Sequence, residues 1–572
     1  MALSCSRVGR SSVAAALALL LAAGRAFAVA SIEPVAAPHA MVASTSPIAS
    51  QVGVEVMRRG GNAVDAAVAV AFALAVVWPE AGNLGGGGFL LVRRADGTAD
   101  FIDYRERAPH AATRDLYLDR DGRPRPGAST EGDLAVAVPG TVAGLALALR
   151  KHGTRPWAEL LEPARRLAAD GFVVDAATAR SLAQAAPLLA RSPECRRVFF
   201  HGEAPLGVGD RLVQPELAAT LGRLQANGPR ELYEGETARR IVDEMRAHGG
   251  LIDAHDLAEY APVERAPLRG SYRGYELLTA PPPSSGGVLL LEMLNLLERH
   301  PVARLGYHSP DELHLLVEAA RRAFADRAAL LGDPDFVRVP VAELVAKSYA
   351  AARDRELDPA RAMPSARVRA GLPVPREATE TTHFSIVDEA GDLVANTFTL
   401  NGAFGSGVMP PGTGFLLNDE MDDFAAAPSV PNAYGLVQGE ANAIAPRKRP
   451  LSTMTPTIVL KGGRPWLAIG SPGGPTIAST VLQVIVDLVD FGMNLREAIE
   501  ASRVHHQWLP DVIEWEPRGL DPATRAALEA RGHAFAPQPR YLGDAQGVMI
   551  DETTRLRLGA SDPRGGGLAV GY

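Results

Sequence analysis

Cysteine is almost missing: Cys5 and Cys195 are the two in 572 residues, so no disulfide framework can carry the fold. A chain of this length can instead stabilise itself through a large core. Basic clusters are missing too. Acidic residues outnumber Lys and Arg by 66 to 58, and no Lys/Arg run supplies the positive surface that a phosphate backbone requires. Nucleic acid is thereby excluded as the main partner. No repeat with a period of roughly 20 to 50 residues recurs, which excludes solenoids and propellers. Apolar runs of membrane-spanning length are absent as well. The run Ala63 to Trp78 falls short of the ~20 residues of a span, contains Asp65 and stops at Pro79. It reads as a helix buried on all sides.

What is present begins with a targeting pattern. Arg7 and Arg10 precede the apolar run Val13 to Ala23, and Ala26, Ala28 and Ala30 offer small-residue cleavage sites. This is the layout of a secretory signal, with the expected cut between 28 and 30 and a periplasmic or secreted mature chain. Cys5 would leave with it.

Helical periodicity runs from Pro47 to Val77, broken at Gly60-Gly61-Asn62, and again from Val142 to about Met245. NLGGGGFLLVRR (83 to 94) is a glycine turn entering a strand, and FIDYRERAP (101 to 109) reads as its hairpin partner. Residues 354 to 380 are rich in charge, proline and alanine, and read as an exposed linker. Strands without strict βαβ alternation occur on both sides of it, which favours a layered sandwich over a doubly wound sheet.

Directly after the linker stands TTHFSIVDEAGDLVANTFTLNG. Alternate side chains of a strand share a face, so Thr381, His383 and Ser385 point one way and Thr382, Phe384 and Ile386 the other. A three-residue loop (Glu389, Ala390, Gly391) sets Thr397 opposite His383 and Thr399 opposite Thr381. Strand propensity accounts for threonines in such a row without any function. Chemistry offers another reading. A threonine hydroxyl is a weak nucleophile until a base takes its proton. Cutting the chain before Thr381 would free an α-amine, with a pKa near 7.7–8.0, on the nucleophile itself.

The stretches TTHFSIVDEAGDLVANTFTLNGAFGSG, GFLLNDEMDDF, KRPLSTMTPT, GSPGG and HHQWLPD resemble the small subunit of γ-glutamyltransferases. GNLGGGGF, DYRERAP, VPGTVAGL, PPPSSGG and LGDPDF resemble their large subunit. The motifs run in order from about residue 38 to Tyr572. The resemblance implies an α+β fold, a four-layer αββα sandwich of the N-terminal-nucleophile hydrolase type. It also implies self-cleavage at Glu380–Thr381, with a signal at 1–28, a large subunit at 29–380 and a small catalytic subunit at 381–572.

Residue by residue, the resemblance implies Thr381 as nucleophile, Thr399 as its hydroxyl partner, and Gly473 and Gly474 as oxyanion hole. Arg105, Ser452 and Thr453 are implied as holding the substrate carboxylate, and Asn401, Glu420 and Asp423 as surrounding its ammonium. Tyr434, within the stretch Pro428 to Gly439, is implied as the lid residue. No cofactor or metal is implied. The expected partners are glutathione and other γ-glutamyl compounds, with water, amino acids or dipeptides as acceptors. Glu380, Asp392 and Thr453 depart from the family's commoner residues, Thr453 replacing a serine.

Two other enzyme readings and one binding reading stand beside this. A glutaryl-cephalosporin-type acylase would lack use for groups around an ammonium. A non-processing binding protein would have no use for Thr381 and the glycine pair. His505-His506 suggests a metal, but adjacent residues diverge and no further ligand stands at a familiar spacing.

Overall fold

The computed structural model describes residues 32–371, 382–425 and 440–572. The expected signal segment, Glu380, Thr381 and Tyr434 lie outside the described residues. The chain divides into two compact units, Met1–Glu33 and Pro34–Tyr572, and the following concerns the second. Among the described residues, no helix is long and apolar enough to cross a membrane.

Two seven-stranded antiparallel sheets form the centre. One runs Leu568–Gly571, Met41–Ser44, Thr382–Val387, Leu393–Thr399, Gly87–Arg93, Ala99–Asp103, Val263–Arg265. The other runs Val35–Ala37, Arg557–Ser561, Gln546–Ile550, Arg464–Gly470, Thr457–Lys461, Tyr275–Thr279, Leu268–Tyr272. Each sheet mixes strands from before and after the linker, so neither portion could complete its sheet alone.

Side-chain alternation sorts the strands into four layers. Phe89, Leu91, Phe101 and Ala395 face Leu278, Ile458, Ala468 and Val548 in the space between the sheets. The neighbouring residues Leu90, Val92, Ile102, Phe384 and Phe398 turn outward onto a helical layer. Leu467, Ile469 and Val459 turn the opposite way, onto helices that include Gly286–Leu297, Pro310–Leu330 and Thr476–Val489. This is the expected αββα sandwich. The helix Ala63–Val77 is buried along its whole length. Its Asp65 is satisfied at the N-terminus by the backbone of Asn62, Thr154 and Arg155 and by the Thr154 hydroxyl.

The hairpin forms in the expected register, with His383 opposite Thr397 and Thr382 opposite Phe398. Gly391 takes φ +89°, the left-handed conformation that closes its three-residue loop. His383 itself is enclosed between the sheets. Its Nδ1 lies 2.7 Å from Thr397 Oγ1 and its Nε2 2.9 Å from Ser385 Oγ. Burial pushes the imidazole pKa down to about 3, so the ring is neutral and structural.

One expectation needs correction and one needs sharpening. The strand expected over 101–109 ends at Asp103, which leaves Arg105 on an irregular segment free to turn toward the site. Residues 355–371 are largely exposed, as expected of a linker, but they are pinned to the body of the fold. Ser365 and Val368 are buried. Ser365 donates its backbone N–H to Asp511 (2.7 Å), its hydroxyl accepts from Arg321 (2.6 Å), and its carbonyl accepts from Trp508 Nε1 (2.9 Å). Low apolar periodicity fits the exposure and carries no sign of the anchoring at Ser365.

Candidate active site

Close backbone approach positions the first part of the site. A Cβ on Gly86 would lie 1.9 Å from the Thr399 carbonyl, and one on Gly88 2.3 Å from that of Thr397. Glycine is therefore required for Gly87–Arg93 to lie against Leu393–Thr399. Asn83 ties the turn down, donating from Nδ2 to the Thr399 carbonyl (2.8 Å) and accepting from Gly86 N–H (3.0 Å). Thr399 is thus held in place from both sides, and its hydroxyl accepts from Asn401 N–H at 2.7 Å.

Asn401 adopts φ +75°, a conformation asparagine tolerates better than most residues. Its Nδ2 donates to the Asp419 carbonyl (3.1 Å), while Gly402 N–H donates to Asp419 Oδ1 (2.8 Å). Asn401 Oδ1 is buried and has no hydrogen-bond partner among the described residues. An unpaired buried amide oxygen is costly and suits an ammonium donor. Asn418 fixes the following turn by accepting from Ala137 and Glu420 N–H and donating to the Gly85 and Ala137 carbonyls. The 3₁₀ turn Glu420–Asp423 then aims two carboxylates at one guanidinium.

That guanidinium belongs to Arg105, which is fully enclosed. Arg105 bonds Glu420 and Asp423 through its two terminal nitrogens and reaches Glu106 at 3.3 Å. It also donates to the carbonyls of Pro450 (3.1 Å) and Leu451 (3.3 Å). Burial opposes its charge, but Glu420, Asp423 and Glu106 outweigh burial and hold the side chain protonated. Burial and the charge of Glu420 lift the Glu106 carboxyl well above the usual range, against the pull of Arg105. The arginine expected for a carboxylate and the acids expected for an ammonium are here closed on each other.

Glu106 was not anticipated from the sequence, although it adjoins Arg105. A Cβ on Gly87 would lie 2.7 Å from Glu106 Oε2. The third glycine of the NLGGGGF run therefore makes room for this carboxyl, and that run was the available signal.

Pro450 and Leu451, bonded to Arg105, carry Ser452 beside it. The Ser452 backbone is clamped by the PPPSSGG loop: its N–H donates to Pro283 (2.9 Å) and its carbonyl accepts from Ser285 N–H (2.7 Å). Its hydroxyl accepts from Met454 N–H at 3.1 Å. LGDPDF serves the same loop, since Asp333 accepts from Arg449 N–H at 2.8 Å.

Thr453 ties two loops of the site together. Its hydroxyl donates to the Gly474 carbonyl at 2.9 Å, which joins the arginine loop to the glycine loop. There, Gly473 and Gly474 have φ +127° and +58°. Peptide units are planar, so a carbonyl held on one side aims the next N–H to the other. Ser471 Oγ holds the Pro472 carbonyl (2.7 Å), and Thr476 Oγ1 holds that of Gly473 (2.7 Å). Each held carbonyl fixes the plane of its peptide unit, and with it the direction of the Gly473 and Gly474 N–H groups expected to form the oxyanion hole. Thr453→Val should release the loop and lower kcat about tenfold, the worth of one hydrogen bond, while Thr453→Ser should retain it. Steady-state kinetics on the pair checks this, with KM expected to change less than kcat.

The two histidines of HHQWLPD serve elsewhere. His505 pairs with Ser479 Oγ (2.8 Å) and Gln507, and His506 with Asp511 (3.2 Å).

A family model described as gamma-glutamyltranspeptidase matches residues 49–572. The glutathione hydrolase proenzyme of Escherichia coli (strain K12) is 48% identical over 541 residues, covering 94% of this chain and 93% of that protein. The acylase ACY 1 proenzyme of Pseudomonas sp. (strain SE83) is 41% identical, covering 94% of each. Among solved structures, cephalosporin acylase from Bacillus halodurans aligns with a TM-score of 0.84 at 27% identity, over 96% of this chain and 98% of that one. A Helicobacter pylori gamma-glutamyltranspeptidase chain aligns with a TM-score of 0.57 at 41% identity, over 57% of this chain and 94% of that one. This chain belongs to the gamma-glutamyltranspeptidase family.

Proposed function

We propose that this chain is a self-processing γ-glutamyltransferase and glutathione hydrolase. The observation that carries the reading is the closed cluster of Arg105, Glu420 and Asp423 beside the unpaired Asn401 Oδ1, linked through Thr453 to the glycine loop. A cation and two anions in one enclosed site match the carboxylate and ammonium of a free α-amino acid.

In processing, the Thr381 hydroxyl attacks the Glu380 carbonyl, the C–N bond breaks, and water hydrolyses the resulting ester. The products are a large subunit ending at Glu380 and a small subunit beginning at Thr381. In turnover, the new α-amine takes the hydroxyl proton as Oγ attacks the γ-carbonyl. The N–H groups of Gly473 and Gly474 donate to the developing oxyanion. The departing amine receives the proton, and the ester passes to water or to an acceptor amine. Thr399 supports the nucleophile, and Tyr434 shields the acyl-enzyme from water until an acceptor arrives. Export to the periplasm or beyond belongs to this proposal and rests on the segment 1–28.

The likeness to cephalosporin acylase supplies the competing reading. Purified enzyme is expected to hydrolyse γ-glutamyl-4-nitroanilide at least tenfold faster, by kcat/KM, than glutaryl-4-nitroanilide. Preference for the glutaryl compound would overturn the proposal in favour of an acylase.

A further inference from the structure

Outside the candidate active site, three possible metal ligands converge where the segment after Arg105 meets the short helix Ala254–Ala258. They are His110, His255 and Glu259, and their ligand atoms all lie within 4.8 Å of one another. His255 and Glu259 stand four residues apart, and Glu259 keeps helical backbone angles at the helix end, so the two side chains share a face. His110 arrives from the other segment with its ring edge-on to that of His255, centroids 4.8 Å apart. All three residues are exposed, so an ion from solution can reach them.

Hydrogen bonding fixes which nitrogen of His110 faces the group. The buried carboxylate of Asp256 accepts from the His110 backbone N–H and from its Nδ1, both at 2.7 Å. A carboxylate only accepts, so Nδ1 carries the proton and Nε2 presents a lone pair. That Nε2 lies 3.3 Å from Glu259 Oε2, a second acceptor, while His255 Nε2 lies 3.6 Å from Glu259 Oε1. Acceptors this close call for a cation between them, either a proton or a metal ion. Two features favour the metal. Donor atoms 2.0–2.1 Å from a tetrahedral zinc stand about 3.3–3.4 Å apart, close to both separations here. A carboxylate behind the outer nitrogen is also the usual support of a metal-bound imidazole, and Asp256 occupies that place behind His110.

We propose that His110, His255 and Glu259 bind one divalent transition-metal ion of the zinc class. Two imidazoles and a carboxylate suit zinc rather than magnesium or calcium, which take oxygen ligands. Three protein ligands leave the fourth position to water or a small anion. Arg447 Nε also reaches Glu259 Oε2, at 3.6 Å, but that pair is long and open to solvent, and it yields to a shared dication.

The ion closes a ring around the backbone of Arg105. Tyr260, directly after Glu259, donates its hydroxyl to the Arg105 carbonyl at 2.8 Å. Ala108 donates its N–H to the Lys448 carbonyl (2.8 Å) and accepts from Arg447 N–H (3.0 Å). An ion joining His110 to Glu259 fastens the far end of the same segment. Its role is structural, and the site stands whether or not the chain proves to be a γ-glutamyltransferase.

The test uses the purified protein without a histidine tag, stripped with EDTA, dialysed and titrated with zinc chloride in a calorimeter. Wild type is expected to bind one zinc ion with a Kd of about 10 µM or tighter, and to melt at a higher temperature with zinc than with EDTA. Magnesium chloride should do neither. His110→Ala and His255→Ala should each weaken zinc binding by at least the roughly tenfold that losing a ligand's hydrogen-bonded support alone costs. The His255 side chain is 63% exposed, so without metal its alanine variant should melt with the wild type. Asp133, Glu244 and His248 gather three ligand atoms elsewhere, with a single imidazole, so Glu244→Gln is the control and should leave the affinity unchanged. Three results would each overturn the assignment: no zinc binding by wild type at about 100 µM, an affinity unmoved by both histidine variants, or binding lost in Glu244→Gln.

Discussion

Thr381→Ala is expected to leave the chain uncut and to abolish turnover, with a loss in kcat/KM of more than about 10⁴-fold. One hydroxyl is asked to serve twice, in scission and in acyl transfer, so no other residue can restore either step. Thr381→Ser should process and turn over at a reduced rate, because the hydroxyl and the future α-amine both remain. The readouts are a denaturing gel and N-terminal sequencing of the small chain. A wild-type small chain starting anywhere but Thr381, or cleavage persisting in the alanine variant, would defeat the mechanism. Thr382→Ala is the matched control. The pairing of Thr382 with Phe398 turns its side chain to the opposite face from His383, so cleavage should persist.

Arg105→Ala is expected to destabilise the fold by about 3–5 kcal/mol as well as to remove activity. The guanidinium is enclosed with Glu106, Glu420 and Asp423, and it also holds the carbonyls of Pro450 and Leu451. Its loss strands buried carboxylates and unties the loop that carries Ser452. Arg105→Lys should regain part of the stability but little of the activity. A single ammonium cannot span two carboxylates and two carbonyls as a planar fork does. Denaturant unfolding of the purified variants measures the first effect and γ-glutamyl anilide hydrolysis the second. An alanine variant as stable as the wild type would show that the ion cluster contributes nothing to the fold.

The same cluster bears on substrate entry. In the structure Arg105 already binds the carboxylates expected to face a substrate ammonium. On the proposed reading, an entering γ-glutamyl group offers its own carboxylate to Arg105 and its ammonium to Glu420 and Asp423. Exchanging one set of charge pairs for another leaves the net charge of the enclosed site unchanged, since a zwitterion adds none, and this lowers the cost of burying it.

Several features were legible before any coordinates. Two-residue alternation over 382–387 and 393–399, with Gly391 between them, was enough for the hairpin and its register. Breaks at Gly60-Gly61-Asn62 and Gly153 marked true helix ends, because glycine and asparagine at those places favour caps and turns. Motif order led to the αββα layering and to the residues of the candidate site.

Other features depend on contacts between distant segments and leave no periodic trace. Glu106 has no pattern to distinguish it from any acid next to an arginine until Gly87 is seen beneath it. The anchoring of 355–371 through Ser365 is polar, so hydrophobic patterning gave no sign of it.

By itself the sequence determined the local grammar of this protein: where strands alternate, where glycines permit turns, and which side chains carry the chemistry. Those are properties of neighbouring residues, governed by backbone sterics and side-chain period. Only the tertiary structure decided that Arg105 closes on Glu420 and Asp423 and that Thr453 ties its loop to Gly474. Those pairings join loops that the packing of two sheets brings together, 315 and 318 residues apart for Arg105 with Glu420 and Asp423, and 21 apart for Thr453 with Gly474. A buried charge takes whatever partner that packing brings within reach.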